Sequence, residues 1–219
     1  MNTSIVEKKD EFSVVEYEKI GKIAMQLVKG HLKSITICYE GTVAGEETGP
    51  IKVAVLSGLL EMMTDERINI VNADRVAASR GLYVTEQKNN TCENYTNMVS
   101  VEITTSSASS IVGASVVRGR TYITRIDDFW MEIEPSTNYM LFTEHKDQPG
   151  MIGYVGTILG NAGVNINQMH VSKGVNLGSN AMMALCIDDQ PSTECYKKIL
   201  AIPDMYRAVI VNLGKTLND

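Results

Sequence analysis

The sequence predicts an α+β chain in two parts: a mixed α/β domain, then a smaller one on a split β-α-β plan. Three observations carry this. Apolar residues recur at three- and four-residue steps in some stretches and at two-residue steps in others. The final stretch of roughly 75 residues reads strand, helix, strand, strand, helix, strand. Between the two grammars, Pro135-Ser136-Thr137-Asn138 breaks all periodicity, which sets domains at 1–136 and 137–219.

Each element has a local reason. Phe12, Val15, Lys19, Ile20, Ile23, Leu27 and Val28 give a helix over Asp10 to Lys29, with Gly30 as its stop. Ser34 to Tyr39 alternates as a strand. The polar loop Glu40 to Gly49 leads to Pro50, which suits a first helical turn, and Val53, Leu56, Leu59, Leu60 and Met63 fall on one side of that helix. Ile68 to Val71 reads as a buried strand, Asn72 as the cap of a short helix ending at Arg80-Gly81, and Leu82 to Gln87 as a strand. Asn97 to Thr105 and Ile111 to Val117 form one hairpin; Tyr122 to Ile126 and Phe129 to Ile133 form another around Asp127-Asp128.

The second part is more regular. Tyr139 to His145 is a strand, and the helix after Gly150 puts Met151, Ile152, Val155, Ile158 and Leu159 on one face before stopping at Gly163. Strands at Asn165 to Ser172 and Ala181 to Ile187, a helix capped by Ser192, and a strand at Tyr206 to Leu213 complete a ferredoxin-like βαββαβ order.

Composition narrows function. Hydrophobic residues make up 44% of the chain, so a sizeable core can form. The 26 acids against 20 bases leave a charge of −6, which argues against a nucleic-acid binder or a polybasic membrane anchor. The longest nearly unbroken apolar stretch, Val53 to Leu60, is too short for a bilayer. Cys38, Cys92, Cys186 and Cys195 are scattered without a CxxC pair, which fits reduced thiols in a cytoplasmic protein with no structural metal. No phosphate loop, GxGxxG after a strand, HExxH or GxSxG is present, and His31, His145 and His170 lie far apart. Glu46-Glu47 and Asp127-Asp128 sit in turns where solvation accounts for them. No catalytic residue is expected of this chain alone.

One segment has the chemistry of a ligand site: the strand-to-helix turn from His145 to Gly150. The helix start offers unpaired N–H groups, among them the backbone of Gly150 and Met151, whose dipole favours a carboxylate. Asp147 suits an ammonium group, and His145 a hydroxyl. Asn165, at the start of the next strand, is expected near the same end of the sheet and offers a donor and an acceptor. Each has a plain alternative: Asp147 and Pro149 as ordinary helix-start residues, His145 as a half-exposed strand residue.

From Tyr139 onward, HKDQPGMIGYVGTILGNAGVNINQMHVS resembles an ACT domain, the amino-acid-sensing module of metabolic enzymes. Upstream, EYEKIGKIAMQL, GPIKVAVLSGLLE, VNADRVAASRGL, NYTN and YITRID in that order resemble the intervening regulatory domain of D-3-phosphoglycerate dehydrogenases. The resemblance covers nearly the whole chain and implies the regulatory region of such an enzyme. It implies that L-serine, or a similar small amino acid, binds at His145, Asp147 and Asn165 where two ACT domains pair edge to edge. Asn165 then serves a ligand held chiefly by the partner subunit's turn. It implies a homodimer or tetramer, no cofactor in this chain, and NAD held by a further domain of the parent enzyme.

For the upstream domain the resemblance implies an allosteric site for substrate or anions. Tyr122 and Glu134 stand at or near positions that are often basic in relatives, leaving Arg118, Arg120 and Arg125 to supply charge or to act as ordinary surface residues. Two other readings stay open. One is the β chain of an iron-sulfur L-serine dehydratase, although its GPSSSHT-type segment is absent; the other is an oligomerisation module without a ligand.

Overall fold

The chain is described by a computed structural model covering residues 14–214 apart from 62, 65, 176 and 177. Phe12, the Asp10 to Ser13 start of the expected first helix, and Met62 lie outside the described residues. The first part contains helices α1 (Val14–Leu27), α2 (Gly49–Leu60) and α3 (Ala73–Ser79). With them are strands β1 (Leu32–Gly41), β2 (Tyr83–Asn89), β3 (Asn97–Thr105), β4 (Ser109–Val117), β5 (Arg120–Ile126) and β6 (Phe129–Ile133). These strands form one sheet in the order β2-β1-β3-β4-β5-β6.

Only β1 and β2 run parallel, from Ser34 opposite Tyr83 to Glu40 opposite Asn89, because α2 and α3 form the crossover between them. The helices lie on the face to which β1 sends Ile35, Ile37 and Tyr39, all fully buried. Helix α2 is buried nearly all round, from Ile51 to Leu60, rather than along one side as expected. It packs along α1, which itself touches β3 and β4, and two glycines set the approach of the two helices. A Cβ on Gly21 would come within 2.1 Å of the Val55 carbonyl oxygen, and one on Gly58 within 1.9 Å of the Glu18 carbonyl oxygen.

The expected strand at Ile68 to Val71 does not exist. The Asn69 side chain accepts hydrogen bonds from the Val71 and Asn72 N–H groups at 2.9 and 3.1 Å, closing a turn that leaves Ile70 and Val71 exposed. Asn72 precedes α3, but its carboxamide oxygen accepts from the Asn69 N–H behind it, not from the helix ahead. Asp127 is likewise more than a solvated turn residue. Its Oδ1 accepts from the Ser110 hydroxyl at 2.7 Å and the Ile111 N–H at 2.9 Å, fixing the β5–β6 turn to the start of β4.

The second part holds β7 (Tyr139–Lys146), α4 (Met151–Asn161), β8 (Ile166–Lys173), β9 (Asn180–Ile187), α5 (Thr193–Leu200) and β10 (Met205–Asn212). Its antiparallel sheet has the order β10-β7-β9-β8, the split βαβ plan. The central strands β7 and β9 are buried on both faces, which accounts for their continuous apolar runs Met140–Phe142 and Ala181–Ile187. On one face Leu141, Met183 and Leu185 meet Met151, Val155 and Leu159 of α4 and Cys195 and Ile199 of α5. On the other, Met140, Phe142, Met182 and Ala184 join the core of the first part. Each buried leucine, valine, isoleucine, methionine or phenylalanine among them contributes about 2 kcal/mol by leaving water.

Candidate functional site

Four residues occupy one row across the helix-covered face of the second sheet. His145 on β7 faces Met205 of β10 on one side and Ala181 of β9 on the other, and Ala181 in turn faces Lys173 of β8. The chain leaves β7 at Lys146 and enters α4 at Met151, so the turn between them lies directly over this row.

The turn is held from several directions. The Lys146 N–H donates to the Asp204 carbonyl at 3.0 Å, the Asp147 N–H to the Ser179 carbonyl at 2.5 Å, and the Gln148 carboxamide to the Asp204 carboxylate at 3.0 Å. Gly150 sits at φ +95, a left-handed conformation that costs glycine little and other residues more. It provides no side-chain cap. The first bond at the helix start runs from the Tyr154 N–H to the Gly150 carbonyl at 2.9 Å, so the N–H groups of Met151, Ile152 and Gly153 precede the hydrogen-bonded ladder.

His145 is 2% exposed, not half-exposed. Its Nδ1 lies 2.9 Å from the Lys146 carbonyl oxygen, an acceptor, so Nδ1 carries the proton in the neutral ring and Nε2 presents a bare lone pair. That Nε2 is buried and has no partner among the described residues, and the hydroxyl of Thr143, two residues back on the same face, is in the same state. Asp147 is engaged: its carboxylate pairs with the Lys173 ammonium at 2.6 Å, with Lys173 itself 78% exposed. An ion pair this open contributes about 0–1 kcal/mol and yields to a better-placed cation. Lys173 was not singled out from sequence, although alternation along β8 places it on the row of His145.

Asn165 is not at this end of the sheet. Strands β7 and β8 both run antiparallel to β9, so they are parallel to each other, and Tyr139 and Ile166 both pair with Ile187. Asn165 therefore sits at the far end, where its carboxamide donates to Asp188 Oδ2 at 2.9 Å. The strand rise separates it from His145 by about 20 Å within one chain.

The three arginines do not converge. Arg118, at φ +54, and Arg120 flank the β4–β5 turn, and Arg120 pairs with Glu134 at 3.0 Å. Arg125 lies at the opposite end of β5, where its Nε donates to the Asp127 carbonyl at 2.7 Å and its guanidinium stacks 5.4 Å from the Trp130 ring centre. The four cysteines are free thiols. Among the described residues there is no group of three His, Cys, Asp or Glu side chains able to hold a metal, and no helix long and apolar enough to cross a membrane.

The family model of the D-3-phosphoglycerate dehydrogenase intervening domain matches residues 14–127. The chain belongs to this family. Over a longer span it is similar to the D-3-phosphoglycerate dehydrogenases of Synechocystis sp., 35% identical across 90% of this chain, and of Bacillus subtilis, 33% identical across 94%. The Methanocaldococcus jannaschii enzyme is 32% identical across 90%. The matches extend past the intervening domain into the sheet that carries His145, since 94% coverage exceeds what residues 14–127 supply. The chain spans 35%, 40% and 37% of the length of these three relatives.

Proposed function

We propose that this chain is the amino-acid-sensing region of a phosphoglycerate dehydrogenase of serine synthesis, and that it binds L-serine at the β7–α4 turn. The observation that carries the reading is the buried, unpartnered Nε2 of His145, which lacks a hydrogen-bond donor. Leaving such an acceptor unpaired costs about 1–3 kcal/mol, and a ligand hydroxyl or ammonium removes that cost. The α4 N–H groups suit the ligand carboxylate, and Asp147 takes its ammonium in place of Lys173.

A second copy completes the site. Strand β8 is the outer strand of its sheet, hydrogen-bonded within that sheet to β9, and it packs beside β6 of the first sheet. Beyond that, the Val175 N–H donates to the Asp128 carbonyl at 3.3 Å, and Phe129 bridges Gly174. Exposed Met169 and Val171 on β8, with Ile152 on α4, give this margin the apolar surface of an interface. Antiparallel pairing of two β8 strands about a two-fold axis at Met169 sets the partner's Asn165 opposite Lys173, which is the row of His145. The far end of one chain thereby becomes the near end for its partner.

No catalytic role falls to this chain in the reading; dehydrogenase chemistry and its NAD belong to the remaining length of the parent enzyme. The second sheet touches the first through β6 and β8, where the Glu132 N–H donates to His170 Nδ1 at 3.4 Å. A ligand-driven change at the β8 edge has a direct route to the first sheet there. Isothermal titration of the purified chain with L-serine, with Asp147→Ala as control, tests the proposal. Binding lost in the control supports it; absence of heat and of any thermal shift at millimolar serine refutes it.

A further inference from the structure

A cavity of about 490 Å³ lies away from the serine turn, against β10, on the opposite margin of the second sheet. Its walls come from the end of α1, the turn between β3 and β4, α5 and β10. This places it where the family domain meets the second sheet, the kind of junction in which small-molecule sites form.

As an outer strand, β10 turns the N–H and C=O groups of alternate residues away from β7. Those groups are closed off in full at one of three positions and in part at a second. At Asn212 the Gln26 side chain takes both: its Oε1 accepts the N–H at 2.9 Å and its Nε2 donates to the C=O at 2.9 Å. At Ala208 the Tyr196 hydroxyl donates to the C=O at 2.8 Å. Between them lies Ile210, which lines the cavity and whose outward N–H and C=O have no partner among the described residues. With Gln26 and the Tyr196 hydroxyl engaged on either side, the open edge is confined to Ile210 and the Ala208 N–H. That is too short for strand addition by a peptide.

We propose that this cavity binds a single apolar L-α-amino acid of about leucine size. Its carboxylate accepts from the Ile210 N–H and its ammonium donates to the Ile210 C=O, the reciprocal pair one residue of a neighbouring strand would make. Lys29, an exposed cation at the cavity wall that makes no ion pair among the described residues, supplies charge for the carboxylate. Leu27, Val28 and Ala108 offer an apolar surface to the side chain. Nothing in this site is shared with the serine turn, so the two stand or fall separately.

The test is titration of the purified chain with L-leucine, followed by calorimetry and thermal shift. Isovalerate, which lacks the ammonium, and isoamylamine, which lacks the carboxylate, serve as half-ligands. L-leucine is expected to bind and raise Tm, and each half-ligand to bind at least about tenfold more weakly. Ala108→Trp, which fills the cavity from an exposed turn, and Lys29→Glu should each weaken L-leucine at least about tenfold while leaving the unliganded Tm unchanged. Asp147→Ala should leave L-leucine binding intact. No binding at millimolar L-leucine, equal binding by isovalerate, undiminished binding by Ala108→Trp, or loss of binding in Asp147→Ala each overturns the proposal.

Discussion

Replacing His145 by leucine separates a ligand-binding histidine from an ordinary core one. Nε2 is buried and unpaired, a cost of about 1–3 kcal/mol that leucine removes. The substitution also loses the Nδ1–H bond to the Lys146 carbonyl, worth about 1 kcal/mol, while a leucine at a site 2% exposed gains apolar burial of about 1–2 kcal/mol. The sum predicts an unliganded variant more stable than the parent by about 1–4 kcal/mol. Saturating serine should shift the difference toward the parent. The parent gains about 2.7 kcal/mol at a ligand concentration a hundredfold above Kd, and the variant gains nothing. Urea unfolding with and without serine measures both effects, provided the slope m stays constant. A variant less stable than the parent by more than about 1 kcal/mol without serine, or equally stabilised by serine, refutes the reasoning.

Three further outcomes follow from the first part of the chain. Gly58→Ala should destabilise by about 2 kcal/mol in urea despite the better helix propensity of alanine, because its Cβ would sit 1.9 Å from the Glu18 carbonyl; an unchanged midpoint would count against the close α1–α2 contact. Asn69→Ala should cost about 1 kcal/mol by opening the turn before α3, visible as a lower thermal midpoint. Burial works against the Lys22 ammonium, but Glu61 and Glu18 at 2.8 and 3.2 Å outweigh it and hold its pKa above 10.5. With the folded value raised, the stabilisation is complete below pH 10.5 and is lost as pH rises through that higher value. Stability measured against pH should therefore fall less steeply in Lys22→Met than in the parent on the alkaline side.

The fold was legible where local signals agree with burial. Strand β1 reads from alternation alone, because Ile35, Ile37 and Tyr39 all face one core. The six elements from β7 to β10 read in the right order because turn residues punctuate them. Ile68 to Val71 misread because its apolar composition says strand while two asparagines bond to nearby backbone and close a turn, a competition that composition does not show. At the candidate site, the His145–Met151 turn was visible as a helix start after a strand. The position of Asn165 was not, because it depends on both β7 and β8 pairing with β9, a long-range fact absent from local sequence. The Lys173–Asp147 pair was hidden for the same reason.

The central claim is that L-serine sits at a two-fold β8 interface, with His145 and Asp147 from one chain and Asn165 from the other. Subunit mixing tests it most directly. Asp147→Ala and Asn165→Ala are each expected to abolish serine heat as homodimers. Refolded together at equal amounts, they should regain about one site in four of the parent's capacity, because each mixed dimer carries one doubly defective site and one intact site. A mixture as silent as its parents, or single variants that still bind serine, would contradict the account.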